Sequence, residues 1–135
     1  MTTVQHIAFR TKDLKRQVAF YTKHFGFTTS RVFNKGMKDE FVMLRLGPTC
    51  IELFQAADEQ RVQSGGEQPV GFMHLAFEVA DIGKSVAALH ADGVKTDDII
   101  DCGTVVPGLR ICFFNDLDGN RIELMQGYRD EKTGR

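Results

Sequence analysis

Two histidines and two glutamates have the residue types and the spacing of a metal-binding site. His6 precedes Glu52 by nearly the same number of residues as His74 precedes Glu123. Imidazole nitrogens and carboxylate oxygens are common ligands of divalent cations, so the four side chains could hold one ion. Any one of them, taken alone, is better explained as a polar side chain on the wet face of a half-exposed strand. Because His matches His and Glu matches Glu, a metal site explains the four together better.

The matched residues belong to an internal repeat. The segment His6-Ile-Ala-Phe9 is echoed by His74-Leu-Ala-Phe77, and Ile51-Glu-Leu53 recurs as Ile122-Glu-Leu124. A repeat of this period indicates two copies of one supersecondary unit, each with a half-covered sheet that needs the other for burial.

Each copy has the pattern of a β-α-β-β-β module. In the first, alternation predicts a strand over residues 4–10, and Asp13 and Gly26 are the residues expected at the two ends of a helix. In the second, the helix begins after Asp81, and Asp118-Gly119 predicts a tight hairpin turn. The other predicted strands cover residues 28–33, 41–46, 50–54, 72–79, 95–100, 109–114 and 121–126.

These elements predict one domain built from two modules, at about 4–54 and 72–126, with a linker at 55–71 and a frayed charged tail at 127–135. Along the strands, His6 and Glu52 alternate with large aliphatic residues, and so do His74 and Glu123. If the helices cover the aliphatic face, all four side chains point to the concave side of a curved sheet.

Composition sets the class of protein. The 135 residues and 15.2 kDa suit one globular domain, and a net charge of −1 gives no footprint for nucleic acid. Three cysteines without metal-finger spacing indicate free thiols in a reducing compartment. No apolar run reaches the length of a membrane span, and the N-terminus has no leader pattern. We therefore expect a cytoplasmic protein without a membrane or nucleic-acid partner.

Several of these motifs resemble the vicinal-oxygen-chelate superfamily, and most of all short bacterial glyoxalase I (lactoylglutathione lyase). The resemblance runs from residue 4 to about 126 and implies an α+β fold of two βαβββ modules that form a curved mixed sheet around a metal site. Its motifs are His6-Ile-Ala-Phe9, Phe20-Tyr-Thr-Lys-His-Phe-Gly-Phe27, Ile51-Glu-Leu53, His74-Leu-Ala-Phe77 and Asp118-Gly-Asn-Arg-Ile-Glu-Leu124.

The number of ligands narrows what the resemblance implies. Dioxygenase and fosfomycin-type members use two His and one Glu, and leave the position matched by Glu52 without a ligand. This chain has Glu52, which favours the four-ligand branch with His6, Glu52, His74 and Glu123 around one divalent ion. By resemblance to the short nickel- and cobalt-activated type, Ni²⁺ or Co²⁺ is favoured and Zn²⁺ is the alternative.

The resemblance also implies a reaction. A glyoxalase I converts the hemithioacetal of a 2-oxoaldehyde and a thiol to a 2-hydroxyacyl thioester through an enediolate. The resemblance assigns the proton transfer mainly to Glu123, with Glu52 as its counterpart on the other side of the metal.

Three residues, Arg10, Phe41 and Met43, are expected to contact the substrate, but each has an equally simple structural explanation. Arg10 matches an arginine that binds the glutathione carboxylate, although a solvated strand-end arginine explains it equally well. Phe41 and Met43 are expected to wall the substrate cavity, or to serve sheet packing only. Ala56 stands where the family has an asparagine whose side-chain amide contacts glutathione, so the identity of the thiol is left open.

Other functions stay open at this stage. A methylmalonyl-CoA epimerase would add a glutamate in a stretch that reads Phe33-Asn-Lys-Gly36 here, and a metal-free sequestering protein would not need the ligands. Thiol transferases and dioxygenases share the scaffold. The resemblance implies a homodimer, and whether a site draws its ligands from one chain or from two is open.

Overall fold

The computed structural model describes residues 3–57 and 72–131. The chain divides into two compact units, with the division between residues 71 and 72. Each unit contains one helix and one mixed four-stranded sheet, as the repeat predicts. The α+β class and the β-α-β-β-β order of both modules are therefore confirmed.

The first module consists of four strands and one helix, which are β1 His6–Thr11, α1 Leu14–Phe25, β2 Thr28–Phe33, β3 Phe41–Leu46 and β4 Thr49–Gln55. Its mixed sheet has the strand order β1-β4-β3-β2. Strand β1 is parallel to β4, and the other neighbours are antiparallel. The helix α1 connects the two edge strands, and the last two strands form a hairpin.

The second module consists of β5 Leu75–Glu78, α2 Ile82–Ala91, β6 Ile100–Asp101, β7 Arg110–Asn115 and β8 Arg121–Gln126. It repeats the topology of the first module with the strand order β5-β8-β7-β6. Strand β5 is parallel to β8, and β8, β7 and β6 are joined by antiparallel pairs.

Both helices begin in the same way. The side chain of Asp13 accepts a hydrogen bond from the Arg16 amide at 3.1 Å, and that of Asp81 accepts one from the Lys84 amide at 3.0 Å. An aspartate at this position satisfies an amide that has no partner inside the helix. Gly26, with φ of 74°, ends α1 in the left-handed conformation that the sequence predicts.

A glutamine at the end of a strand adds a second contact at each helix start. The Gln55 Oε1 atom accepts from the Leu14 amide at 3.1 Å, and Gln126 Oε1 accepts from the Ile82 amide at 2.8 Å. Gln55 and Gln126 each stand three residues after the glutamate of their module. The repeat thus extends to the contacts that attach each helix to its sheet.

The aliphatic face of each sheet is buried. Ile51 and Leu53 are fully enclosed in the first module, and Ile122 and Leu124 take the equivalent places in the second. Burying one such side chain contributes about 1.5–3 kcal/mol relative to exposure. Tyr21 of α1 is completely buried among aromatic neighbours. The strongest packing therefore lies on the face that does not carry His6, Glu52 or their counterparts.

Several boundaries differ from the sequence prediction. The strand expected over 72–79 is shortened to β5, Leu75–Glu78, and His74 precedes it. The strand expected over 95–100 is reduced to β6, Ile100–Asp101, with an isolated bridge from Thr96 to Phe114. Here the Asp97 side chain pairs with Arg121, and the backbone joins the sheet only in places. Gln55 belongs to β4 and not to the expected linker, most of which lies outside the described residues.

The hairpin before β8 is also longer than the predicted tight turn. Residues 116–120 connect β7 to β8, and the carboxylate of Asp116 accepts from the Asp118 amide, the Asn120 amide and the Asn120 side chain. Gly119 has the positive φ expected of it, 80°, whereas Asp118 does not. A buried carboxylate organises this loop, and the sequence prediction missed it.

The expected tail begins differently from the prediction. Gly127, with φ of 84°, packs directly against the backbone carbonyl of Gly108, so a side chain at this position would collide with it. Residues 132–135 of the tail lie outside the described part of the chain. Within that part, no helix is both long enough and apolar enough to cross a bilayer.

Candidate metal-binding residues

The strand register places the two His/Glu pairs in equivalent positions. In the first module Ala8 of β1 lies opposite Glu52 of β4, and in the second Ala76 of β5 lies opposite Glu123 of β8. His6 begins β1, two residues before Ala8, and His74 stands two residues before Ala76. A methyl group beside each carboxylate leaves room that a larger side chain would take.

In the first module, His6 and Glu52 approach each other without a hydrogen bond. His6 Nε2 lies 4.0 Å from Glu52 Oε1, and 43% of the histidine side chain is exposed. The other ring nitrogen, Nδ1, contacts the Gln5 side-chain oxygen. The Glu52 side chain is 17% exposed. This pair is therefore loosely spaced and partly exposed to solvent, and its histidine contacts the preceding residue, Gln5.

In the second module, His74 and Glu123 form a tight pair. His74 Nε2 lies 2.9 Å from Glu123 Oε2, and their side chains are 25% and 11% exposed. His74 Nδ1 is buried, with no hydrogen-bond partner in the described part of the chain. A buried nitrogen without a partner costs about 1–3 kcal/mol. Such a cost is tolerated most readily where the group serves a function.

The residues present suit a divalent metal by their chemistry. In each module an imidazole nitrogen lies within 4.0 Å of a carboxylate oxygen, and such mixed sets bind first-row transition metals. Within residues 3–57 and 72–131, no group of three or more His, Cys, Asp or Glu side chains forms a metal cluster. The structure brings His6 to Glu52 and His74 to Glu123, and the four-ligand set stays a prediction.

The expected substrate residues of the first module share the face of Glu52. Met43 lies directly opposite Glu52 in the register of β3 and β4. Phe41 and Arg10 both neighbour Phe54, which is two residues beyond Glu52. Arg10 is exposed. The register therefore places Met43 beside the carboxylate, and Phe41 and Arg10 one step farther along the face.

Phe41 is the middle member of an aromatic row. Its ring stacks on Phe33 at 4.5 Å and on Phe54 at 4.4 Å between centroids. A pocket of about 520 Å³ opens beside Phe41 and Phe54. Its other lining residues are Lys38, Asp39, Glu40 and Gln55. The sequence prediction included Phe41 but not its two stacking partners, because sequence alone did not align the three strands.

Three side chains near the second pair were also missed. The Phe113 ring meets the His74 ring edge to face, with centroids 5.4 Å apart. Arg121 lies over Phe113 and pairs with Asp97. The sequence pattern predicts Phe113 as a strand residue and Arg121 as part of the Asp118–Leu124 motif. The alternation that places Phe113 on the face of Glu123 was the signal available for finding it.

Comparison with known proteins establishes the family. Residues 3–124 match the model of the Glyoxalase/Bleomycin resistance protein/Dioxygenase superfamily, so the chain belongs to it. The resemblance of its motifs to the vicinal-oxygen-chelate group is thereby confirmed. The family joins two kinds of enzyme with a resistance protein, so membership by itself does not choose the reaction.

Individual relatives agree with this assignment. The chain is 35% identical over 126 residues to the uncharacterized protein YaeR of Escherichia coli, covering 91% of this chain and 95% of that protein. It is 29% identical over 116 residues to glyoxalase I of Saccharomyces cerevisiae, covering 68% of this chain and 36% of that protein.

A solved structure supports the fold. A variant of the fosfomycin resistance protein FosX from Listeria monocytogenes, complexed with Mn(II) and a dihydroxypropylphosphonic acid, superposes with a TM-score of 0.72. The two share 19% identity over 95% of this chain and 94% of that chain. The vicinal-oxygen-chelate fold predicted from the motifs is thus confirmed.

Proposed function

We propose that this protein is a metal-dependent lyase of the glyoxalase I type. Its substrate would be the hemithioacetal of a 2-oxoaldehyde and a thiol, and its product a 2-hydroxyacyl thioester. The observation that carries the proposal is the repeated His/Glu pair, at the same register in both modules and with alanine opposite each glutamate. The similarity to glyoxalase I of Saccharomyces cerevisiae supports the same reaction class.

The proposed ligands are His6, Glu52, His74 and Glu123. A divalent metal bound there would supply a Lewis acid for two neighbouring substrate oxygens. Mixed nitrogen and oxygen ligands suit Ni²⁺, Co²⁺ and Zn²⁺. The resemblance to the short nickel- and cobalt-activated type favours Ni²⁺ or Co²⁺, with Zn²⁺ as the alternative. The second carboxylate, Glu52, separates this ligand set from the two-His, one-Glu type.

Glu123 is the proposed base. It would take the proton from the carbon that bears the sulfur and return it to the adjacent carbon. The hydroxyl proton would pass to the neighbouring ketone oxygen, so that the hydroxyl and ketone of the hemithioacetal become the carbonyl of a thioester and a hydroxyl. No oxidant or reductant is needed, because the reaction is an isomerisation. Glu123 is largely shielded from water, which suits a carboxylate that must keep a proton for the return step. Glu52 is its proposed counterpart.

The first module is proposed to contact the rest of the substrate. Met43, opposite Glu52, and Phe41 in the aromatic row would line the side of the 2-oxoaldehyde. Arg10 is exposed and could bind a carboxylate of the thiol. A glutathione adduct is one candidate substrate. Ala56, however, has no side-chain amide to contact it, and the side chain of the neighbouring Gln55 already binds the backbone at the start of α1.

We further propose a cytoplasmic homodimer. Cys50, Cys102 and Cys112 are all free thiols, as a reducing compartment would require. A two-fold dimer would let modules of two chains complete each other's sites. A small-molecule substrate is then the expected ligand, with no role for nucleic acid or membrane.

The decisive experiment measures S-lactoylglutathione formation from methylglyoxal and glutathione. Chelator-stripped protein is reloaded with Ni²⁺, Co²⁺ or Zn²⁺ in separate samples. We expect activity only in metal-loaded protein, highest with Ni²⁺ or Co²⁺. Protein that binds metal but forms no thioester with glutathione or with another thiol would refute the lyase assignment. Epimerisation of an acyl-CoA is then the next reaction to assay.

Replacing the proposed base separates binding from turnover. Glu123→Gln should lower kcat about 10²–10⁴-fold, the usual contribution of a positioned acid or base. Metal content, measured by elemental analysis, should be largely retained. The control is Glu78→Gln, which removes an exposed carboxylate of β5 and should leave turnover unchanged. Wild-type kcat in Glu123→Gln would refute its role as the base.

A further inference from the structure

Phe113 links the second His/Glu pair to a group of charged side chains. It lies directly opposite Glu123 in the register of β7 and β8. Its ring is inclined by 78° to the His74 ring, with 5.4 Å between centroids. This edge-to-face geometry is a favoured arrangement of aromatic rings, and it restricts how far either ring can turn.

The Phe113 ring is itself held from outside the pair. The guanidinium carbon of Arg121 lies 5.2 Å from the ring centroid, within the range of a cation–π contact. Arg121 is in turn paired with the Asp97 carboxylate and donates to the Asn115 side chain at 3.4 Å. Asp97, Arg121, Phe113, His74 and Glu123 thus form one continuous chain of contacts.

The first module has the same register without these contacts. Met43 takes the place of Phe113 opposite the glutamate, and Cys50 takes the place of Arg121 two residues before it. There the His6 to Glu52 distance is 4.0 Å, against 2.9 Å in the second module. The tighter pair is the one with an aromatic ring and a fixed cation beside it.

We propose that Phe113 is a positioning residue for His74, and that Arg121 and Asp97 hold Phe113 in place. The inference rests on the proposed function, because His74 matters to the reaction only as a ligand. Phe113 fixes the plane of the imidazole, so that Nε2 stays directed at the same point as the Glu123 carboxylate. A ligand held in this way does not have to be ordered when a metal binds.

The first test uses metal-free protein and does not depend on activity. Three-bond NMR coupling constants report whether the His74 side chain keeps one χ1 rotamer. We expect one rotamer in the wild type and in Phe113→Tyr, which keeps the ring, and averaging in Phe113→Leu. Arg121→Gln should also increase averaging, whereas Arg110→Gln, which removes a cation from β7, the strand that carries Phe113, should not. An unchanged single rotamer in both Phe113→Leu and Arg121→Gln would overturn the proposal.

The second test measures nickel affinity by calorimetry. Phe113→Leu should weaken binding about tenfold, the lower end of the usual effect of residues that orient metal ligands, and Phe113→Tyr should restore it. Equal affinity in wild type and Phe113→Leu would overturn the proposal even if the rotamer changed. If the wild type forms no thioester with any metal, the proposed function fails, and the rotamer test still decides whether Phe113 positions His74. If Phe113→Leu does not fold, Arg121→Gln supplies both measurements.

Discussion

The two modules share a backbone plan and differ in how tightly they hold their chemical groups. Both place a histidine two residues before an alanine that lies opposite a glutamate. In the first module the histidine and glutamate are 4.0 Å apart, and the histidine is 43% exposed. In the second they are 2.9 Å apart, and the histidine is 25% exposed.

The difference shows that register and side-chain geometry have separate causes. Strand pairing decides which residues face each other, and both modules pair alike. The two pairs differ in their neighbours, which are Met43 and Cys50 in one module and Phe113 and Arg121 in the other. The modules therefore agree in where each pair lies and differ in the side chains that surround it.

The largest expected effect is the loss of turnover in His6→Ala and His74→Ala and its recovery when the two variants are mixed. The mixture tests whether the two pairs complete one site across a dimer. His6→Ala and His74→Ala should each be inactive. Co-refolding them in equal amounts should restore about a quarter of wild-type turnover, because half of the dimers are mixed and each has one intact site. His6→Ala mixed with Glu52→Ala is the control and should stay inactive. No recovery in the first mixture would place both pairs of a site in one chain.

The second comparison concerns the hairpins that precede the two glutamates. Residues 47–48 suffice in the first module, whereas residues 116–120 in the second surround the buried carboxylate of Asp116. Asp116→Ala should lower the free energy of unfolding by about 2 kcal/mol, since it leaves two backbone amides without their acceptor. Urea denaturation measures this. Leu117→Ala in the same loop should change stability by less than about 0.5 kcal/mol, and an equal loss in both variants would contradict the anchoring role.

The unequal rigidity of the pairs predicts unequal metal binding. His74→Ala should weaken nickel affinity about tenfold more than His6→Ala, because the better-ordered ligand contributes more binding free energy. Calorimetry at one pH makes the comparison. His90→Ala, whose ring contacts Thr96, should bind nickel like the wild type. Equal losses at His6 and His74 would show that the geometry of the metal-free pairs does not govern affinity.

The smallest expected effect concerns Cys112 in β7. Burial raises the pKa of this thiol above its ordinary value, and its Sγ atom donates to the Asp97 carbonyl at 3.2 Å. Well below that value the thiol is neutral in both folded and unfolded chains. Above it, the unfolded chain loses the proton first, so stability should fall slightly as pH rises. Mass spectrometry after maleimide treatment should find Cys102 labelled before Cys112, because Cys112 is buried. The reverse order would contradict the burial on which the raised pKa of Cys112 depends.

Much of the fold could be predicted from local patterns. The strands at residues 28–33, 41–46 and 121–126 agree with the prediction, because alternation and flanking turn residues mark them clearly. The prediction of a strand over residues 95–100 is mostly wrong, because only Ile100 of this range belongs to a strand. Its pattern did not reveal that Asp97 turns toward Arg121, a residue far along the chain.

The sequence by itself determined the repeat, the module order, the family and the identity of the proposed ligands, because these follow from residue types at matching positions. Only the tertiary structure decided which pair is tight and what surrounds it. The contacts of Phe113 with His74 and of Phe41 with Phe33 and Phe54 join side chains from different elements. Such contacts depend on pairing between distant strands and on the packing of particular side chains, neither of which a local pattern specifies.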